Sequence, residues 1–117
     1  MIPYATMALI ELALETGTPP KKFGHGLMYE RETGEVCFFG FIGSMHGVKL
    51  DGNEDSSRIA ELLELPHNKL IKYAMQTDVY IRSCGGDSRE AIPMIMDYLR
   101  HIPKERTLEP VIDEPAF

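Results

Sequence analysis

Val36 to Gly47 reads VCFFGFIGSMHG, and whether this stretch is a helix, a strand or a ligand loop decides what the rest of the 117-residue chain is built around. It sets Cys37, His46 and three phenylalanines around Gly40, Gly43 and Gly47. As a phosphate loop it fails, because Gly40-x-x-Gly43-x-x-x-Gly47 matches neither the dinucleotide nor the Walker spacing and no Lys-Ser/Thr pair follows. As a strand, alternation would split Cys37, Phe39 and Phe41 from Phe38, Gly40 and Ile42. As a helix, the three glycines would form one small-residue face for a close neighbour, with Phe38, Phe41 and Ile42 filling the core. Glycine costs about 1 kcal/mol relative to alanine inside a helix, so three of them ask for a packing reason.

Outward from this centre, Ile2 to Thr16 carries a first-turn Pro3, strong helix formers and a terminating Gly17, which predicts a packing helix with Met7, Ile10 and Leu14 on its apolar stripe. Thr18 to Lys22 contains Pro19-Pro20 and is an extended connector. Glu32-Thr33-Gly34-Glu35 is a turn signal between Leu27-Met28-Tyr29 and Val36-Cys37-Phe38, so a short hairpin is expected. After a polar loop, Ser56 or Ser57 is the expected cap of a helix over Arg58 to Leu65, and Pro66 opens another over His67 to Gln76. Thr77 to Arg82 has the β-branched and aromatic character of a short strand. Asp87 and Glu90 have capping-box spacing before a last helix ending near His101, in which Pro93 sits awkwardly. The expectation is one α+β domain over residues 1–102, mostly helical with a small hairpin, followed by an extended acidic, proline-containing tail over 103–117.

Length and composition restrict the functions. One domain of this size buries roughly two-thirds of its unfolded surface, leaving no room for a second core. With 44% hydrophobic and 26% charged residues the chain has the composition of a soluble globular protein. No apolar run is long enough to span a membrane, no basic segment precedes the Met7–Leu14 run, and a cytoplasmic location is expected. Cys37 and Cys84 are too few for a disulfide framework and read as free thiols. The net charge of −6 repels polyanions at long range and suits a partner with a basic surface.

Each candidate site has a competing structural explanation. Cys37, His46 and Cys84 with the remaining histidines lack the close-spaced pairs that zinc requires, and no third group orients a Cys–His nucleophile. No catalytic residue, metal or cofactor is therefore assigned, though a small ligand-binding or enzymatic site near Cys37 and His46 stands as an alternative. Asp51-Gly52-Asn53-Glu54-Asp55 starts like a calcium loop but has Ser56 where glycine is needed and Leu62 where the bidentate glutamate belongs. Ser57 to Gln76 is similar to a helix-turn-helix, with Ala60 at the close approach, Leu65 opening the turn and Leu70 packing back. Asn68, Lys69, Lys72, Tyr73 and Gln76 would then face a major groove, although Glu64 occupies the position usually given to glycine and the segment has few cations.

The order of features also resembles a family of small uncharacterised domains found in phages and actinobacteria. The resemblance rests on Glu35-Val36-Cys37-x-x-Gly40 entering an apolar segment and on the late Gly86-Asp87-Ser88-Arg89-Glu90-Ala91 helix start, and covers about residues 5–102. It implies an α-rich fold in which the Cys-x-x-Gly segment opens a buried helix, and a mobile-element setting. The family has no assigned activity. The resulting expectation is a non-enzymatic interaction protein, of the inhibitor or immunity-factor kind, that binds a larger partner with a basic surface through the acidic loop Asp51, Glu54 and Asp55. A DNA-binding regulator is the alternative.

Overall fold

In the computed structural model, which describes residues 2–108, the VCFFGFIGSMHG stretch is helical from Phe38 to Met45. It is the second of five helices among the described residues: α1 (Tyr4–Thr16), α2 (Phe38–Met45), α3 (Asp55–Leu63), α4 (His67–Ser83) and α5 (Ser88–Leu108). Cys37 starts α2, its Sγ accepting the Gly40 N–H at 3.4 Å. At the other end the Val48 N–H reaches the Gly43 carbonyl at 2.9 Å and the Gly47 N–H reaches Ser44, a Schellman stop with Gly47 in the left-handed region. Gly47 is thus the terminator and not part of the small-residue face expected of it.

All six residues from Phe38 to Gly43 are buried, as befits a helix that is apolar on every side. Helices α1, α3 and α4 pack around it. Phe23 adds its ring to those of Phe38 and Phe41, with centroids 6.1 and 6.4 Å away. Burial of each such ring contributes about 2 kcal/mol. The glycines have their packing reason at two positions. A Cβ on Gly40 would lie 2.0 Å from the Met28 carbonyl oxygen, and one on Gly43 would lie 2.8 Å from Ile59 Cγ1.

The fold is all-helical, which overturns the α+β expectation: among the described residues there is no strand, only the isolated antiparallel bridges Lys22↔Asp87 and Tyr29↔Val36. The hairpin is cut short for a local reason. The Glu30 N–H bonds to Glu35 and the Cys37 N–H to Met28, but Cys37 is already the cap of α2, so the chain turns helical before a ladder can grow. Thr77 to Arg82 is likewise no strand; it completes α4, where Leu70, Tyr73, Ala74, Thr77 and Ile81 present a buried stripe that overrides β propensity.

Other junctions fix the helices on one another. Thr6 Oγ1 donates to the Leu63 carbonyl at 2.6 Å, tying α1 to the end of α3. His46 Nε2 donates to the Leu9 carbonyl at 2.7 Å, tying the end of α2 to α1. Tyr98 on α5 lies edge-on to Tyr73 and tilted against Tyr80 of α4. The connector passes along the start of α5, where the Ser88 N–H bonds to Lys21 and the Ser88 hydroxyl donates to Pro20. Asp87 Oδ1 accepts the Arg89 N–H at 2.8 Å, but the Asp87 N–H goes to Cys84, so the expected reciprocal capping box is only half made. Helix α5 continues through Pro93, which lies on its exposed side. Of the segment read as a tail, α5 includes residues up to Leu108, and 109–117 lie outside the described residues.

Candidate functional site

Helix α4 carries two apolar stripes, and only one is used inside. Leu70, Tyr73, Ala74, Thr77 and Ile81 face the core, whereas Ile71, Met75 and Val79, spaced by four, run along the outside. Met75 is 66% and Val79 53% exposed. With Asn68, Lys72 and Gln76 they line a shallow depression. Ile71 and Met75 also wall an adjoining cleft of about 250 Å³. Across the cleft stand Gly26–Tyr29 and the 52–56 loop, with Cys37 among its lining residues and Leu27, 57% exposed, at one edge.

Among the described residues, the charged ones lining the cleft are Glu54, Asp55 and Asp78, with no lysine, arginine or histidine. The three carboxylates are not equivalent. Asp55 is buried and committed: its oxygens accept the Asp51 and Gly52 N–H groups at 3.0 and 2.8 Å and meet Arg58 Nη1 at 3.4 Å. Glu54 lies in the left-handed region at φ 61° just ahead of α3. Asp78 Oδ2 accepts the Gly26 N–H at 2.8 Å, which holds the 26–29 loop against α4. Burial pushes the Asp78 carboxyl above its ordinary value, opposed by the Gly26 bond and by the charges of His25 and Arg82.

The sequence-predicted residues are placed as follows. Asp51, Glu54 and Asp55 do form one loop, but Arg58 neutralises much of it, contacting Asp51 at 3.2 Å as well as Asp55. That hydrogen bond and the Asn53 N–H hold the Asp51 carboxyl below its ordinary value. The calcium-like pattern is explained by these internal bonds, since Asp51 Oδ1 accepts the Asn53 N–H. Cys37 and His46 cap opposite ends of α2, about 13 Å apart by helical rise, and do not share a site. Burial raises the Cys37 thiol to about 12, so it stays protonated at neutral pH. Cys84 is partly exposed and points at Met94 Sδ, 3.5 Å away.

The local helix-turn-helix geometry is present in part. Ala60, Leu65 and Leu70 are buried, and Glu64 takes the left-handed turn at φ 57°, the Leu65 N–H closing on the Ala60 carbonyl. Tyr73, however, is buried against Tyr98 and cannot face a groove, because it falls on the core stripe of α4. Asn68 and Lys72 are exposed, and Lys69 and Gln76 half-buried, around an apolar centre. Lys21, Lys22 and Arg89 line a separate groove at the start of α5.

Asp78, Met75, Val79 and Leu27 were not singled out by sequence reasoning. The available signal was an excess of apolar residues for one face of α4, hidden when Thr77–Arg82 is read as a strand and Val79 is detached from Ile71 and Met75. No three metal-ligating side chains converge among the described residues, and none of their helices is long and apolar enough to cross a membrane. No protein-family model, curated protein or solved structure matches this chain.

Proposed function

We propose that this chain is a non-catalytic interaction domain, of the inhibitor or immunity-factor kind, that binds a larger partner protein with a basic surface. The observation that carries this reading is the continuous surface of Ile71, Met75 and Val79 running into a cleft whose charged lining, among the described residues, is all acidic. An apolar face left in water at this spacing is suited to cover a partner element, and methionine adapts to it without a fixed shape. The acidic cleft beside it favours a cationic partner and disfavours a polyanion, in keeping with the net charge of −6. The contact surface is therefore moved from the Asp51–Asp55 loop, whose charge is largely answered by Arg58, to α4 and the cleft that Glu54 and Asp55 border. The mobile-element setting belongs to the resemblance carried by Glu35–Gly40 and is part of the same proposal.

The test is affinity capture from lysate, with protein and nucleic acid both scored, using the native chain beside Met75→Glu/Val79→Glu. Both positions are exposed, so the double variant should fold normally. A partner protein held by the native chain and lost by the double variant supports this function. Equal capture by both places the interface elsewhere. Duplex DNA bound at low salt and lost on Lys69→Glu plus Lys72→Glu would instead favour the regulator, for which the buried Ala60, Leu65 and Leu70 and the turn at Glu64 are the supporting geometry.

A further inference from the structure

Resting on that reading, we infer that the cleft beside α4 receives one arginine side chain of the partner protein, with Asp78 as its counter-ion. Asp78 is the carboxylate to consider. Asp55 is saturated by two backbone N–H groups and Arg58, and Glu54 is solvated, whereas Asp78 is half-buried at an apolar wall formed by Ile71, Ala74 and Met75. The hydrogen bond it accepts from the Gly26 N–H is a neutral one. A carboxylate partly stripped of water is held at a cost, and although the charges of His25 and Arg82 offset part of it, burial still raises the carboxyl. An incoming cation removes that cost.

The shape of the cleft selects the kind of cation. The cleft, about 250 Å³, is walled by Met28, Tyr29 and Met75, and of its carboxylates Asp55 is already taken by two backbone N–H groups and Arg58. An ammonium group is strongly hydrated and needs several acceptors around it. A guanidinium is planar and weakly hydrated, lays its faces on thioether and aromatic surface, and can fork onto a carboxylate. The aliphatic stem of the same arginine would lie over Ile71 and Met75, which continue onto the exposed α4 face where the rest of the partner is proposed to sit. The cleft would thus supply a charged anchor at one end of an apolar interface.

The full chain, labelled with nitrogen-15, is titrated with N-acetyl-arginine methylamide and, separately, with the citrulline analogue, which has the same shape and no charge. Saturable shifts at Gly26, Leu27 and Asp78 with the arginine probe are expected, together with at least tenfold weaker binding of the citrulline probe and of the arginine probe to Asp78→Asn, as for loss of a charged hydrogen bond. Shifts elsewhere, no shifts at the highest soluble concentration, equal binding of citrulline, or unchanged binding to Asp78→Asn overturn the inference. A lysine probe that matches the arginine probe overturns the guanidinium assignment. The captured partner separates this from the function proposed above. If Met75→Glu/Val79→Glu releases it and Asp78→Asn holds it unchanged, the interface stands and the arginine anchor falls; if neither variant weakens capture, both fall.

Discussion

Replacing Gly40 by alanine places a methyl group where the chain has no space. The added Cβ would sit 2.0 Å from the Met28 carbonyl oxygen, 3.0 Å from its carbon and 3.3 Å from Val36 Cβ. The first contact is more than an ångström inside van der Waals separation, and the obstacle is backbone, which cannot rotate away. The 28–29 segment must therefore lift from α2, straining the Cys37 N–H bond to the Met28 carbonyl at 3.2 Å. Against this, alanine gains about 1 kcal/mol of helix propensity over glycine. Overpacking of a tight core costs about 1–3 kcal/mol, and a weakened backbone hydrogen bond about 1 kcal/mol more. The expected net loss is about 2 kcal/mol, or about 10 °C in Tm for a domain of this size. Thermal unfolding by circular dichroism, with a urea titration at 25 °C, measures it. Gly43→Ala should lose less, because its nearest neighbour is the Ile59 side chain, which can shift. A Tm for Gly40→Ala at or above that of the native chain would mean that α2 does not lie against Met28, and would refute the packing described here.

Three further outcomes are expected. Because burial raises the folded Asp78 carboxyl, the folded state holds its proton more readily than the unfolded state. That contribution to stability is present below the ordinary carboxylate range and is lost as pH rises through the raised value. Asp78→Asn, which can still accept the Gly26 N–H, should be at least as stable as the native chain at pH 7 and lack this decline; urea midpoints from pH 3 to 7 would show it. Glu64→Gly should gain about 0.5–1 kcal/mol by denaturant unfolding, since an exposed side chain at φ 57° is strained where glycine is not. A neutral alkylating reagent should modify Cys84 and spare Cys37 until the protein unfolds, by mass spectrometry, because the Cys37 thiol is buried and raised to about 12.

How much of this was legible in the sequence varied with the length of the pattern. The helix from Tyr4, the turn at Glu64 and the helix after Pro66 each have a cap, a stop or a repeated apolar spacing within a few residues. The VCFFGFIGSMHG run has no polar face, so helix and strand periods fit it equally; the close approaches of Met28 to Gly40 and of Ile59 to Gly43 arise only in the assembled fold. The hairpin signal around Gly34 was real as a turn, and Tyr29 does bridge Val36, but the helix cap at Cys37 leaves no length for a sheet. The acidic loop was visible as charge, whereas its neutralisation by Arg58 depends on a turn that brings the guanidinium back to Asp51. The cleft was the least legible feature. Gly26 and Asp78 are 52 residues apart, and only the packing of the 26–29 loop onto α4 makes Asp78 a half-buried carboxylate.

The most direct measurement is hydrogen–deuterium exchange of the chain alone and bound to its captured partner. Binding through α4 and the cleft predicts that protection on binding concentrates in 26–29 and 71–79. Protection confined to 51–53 or to the start of α5, with 71–79 unchanged, would contradict it.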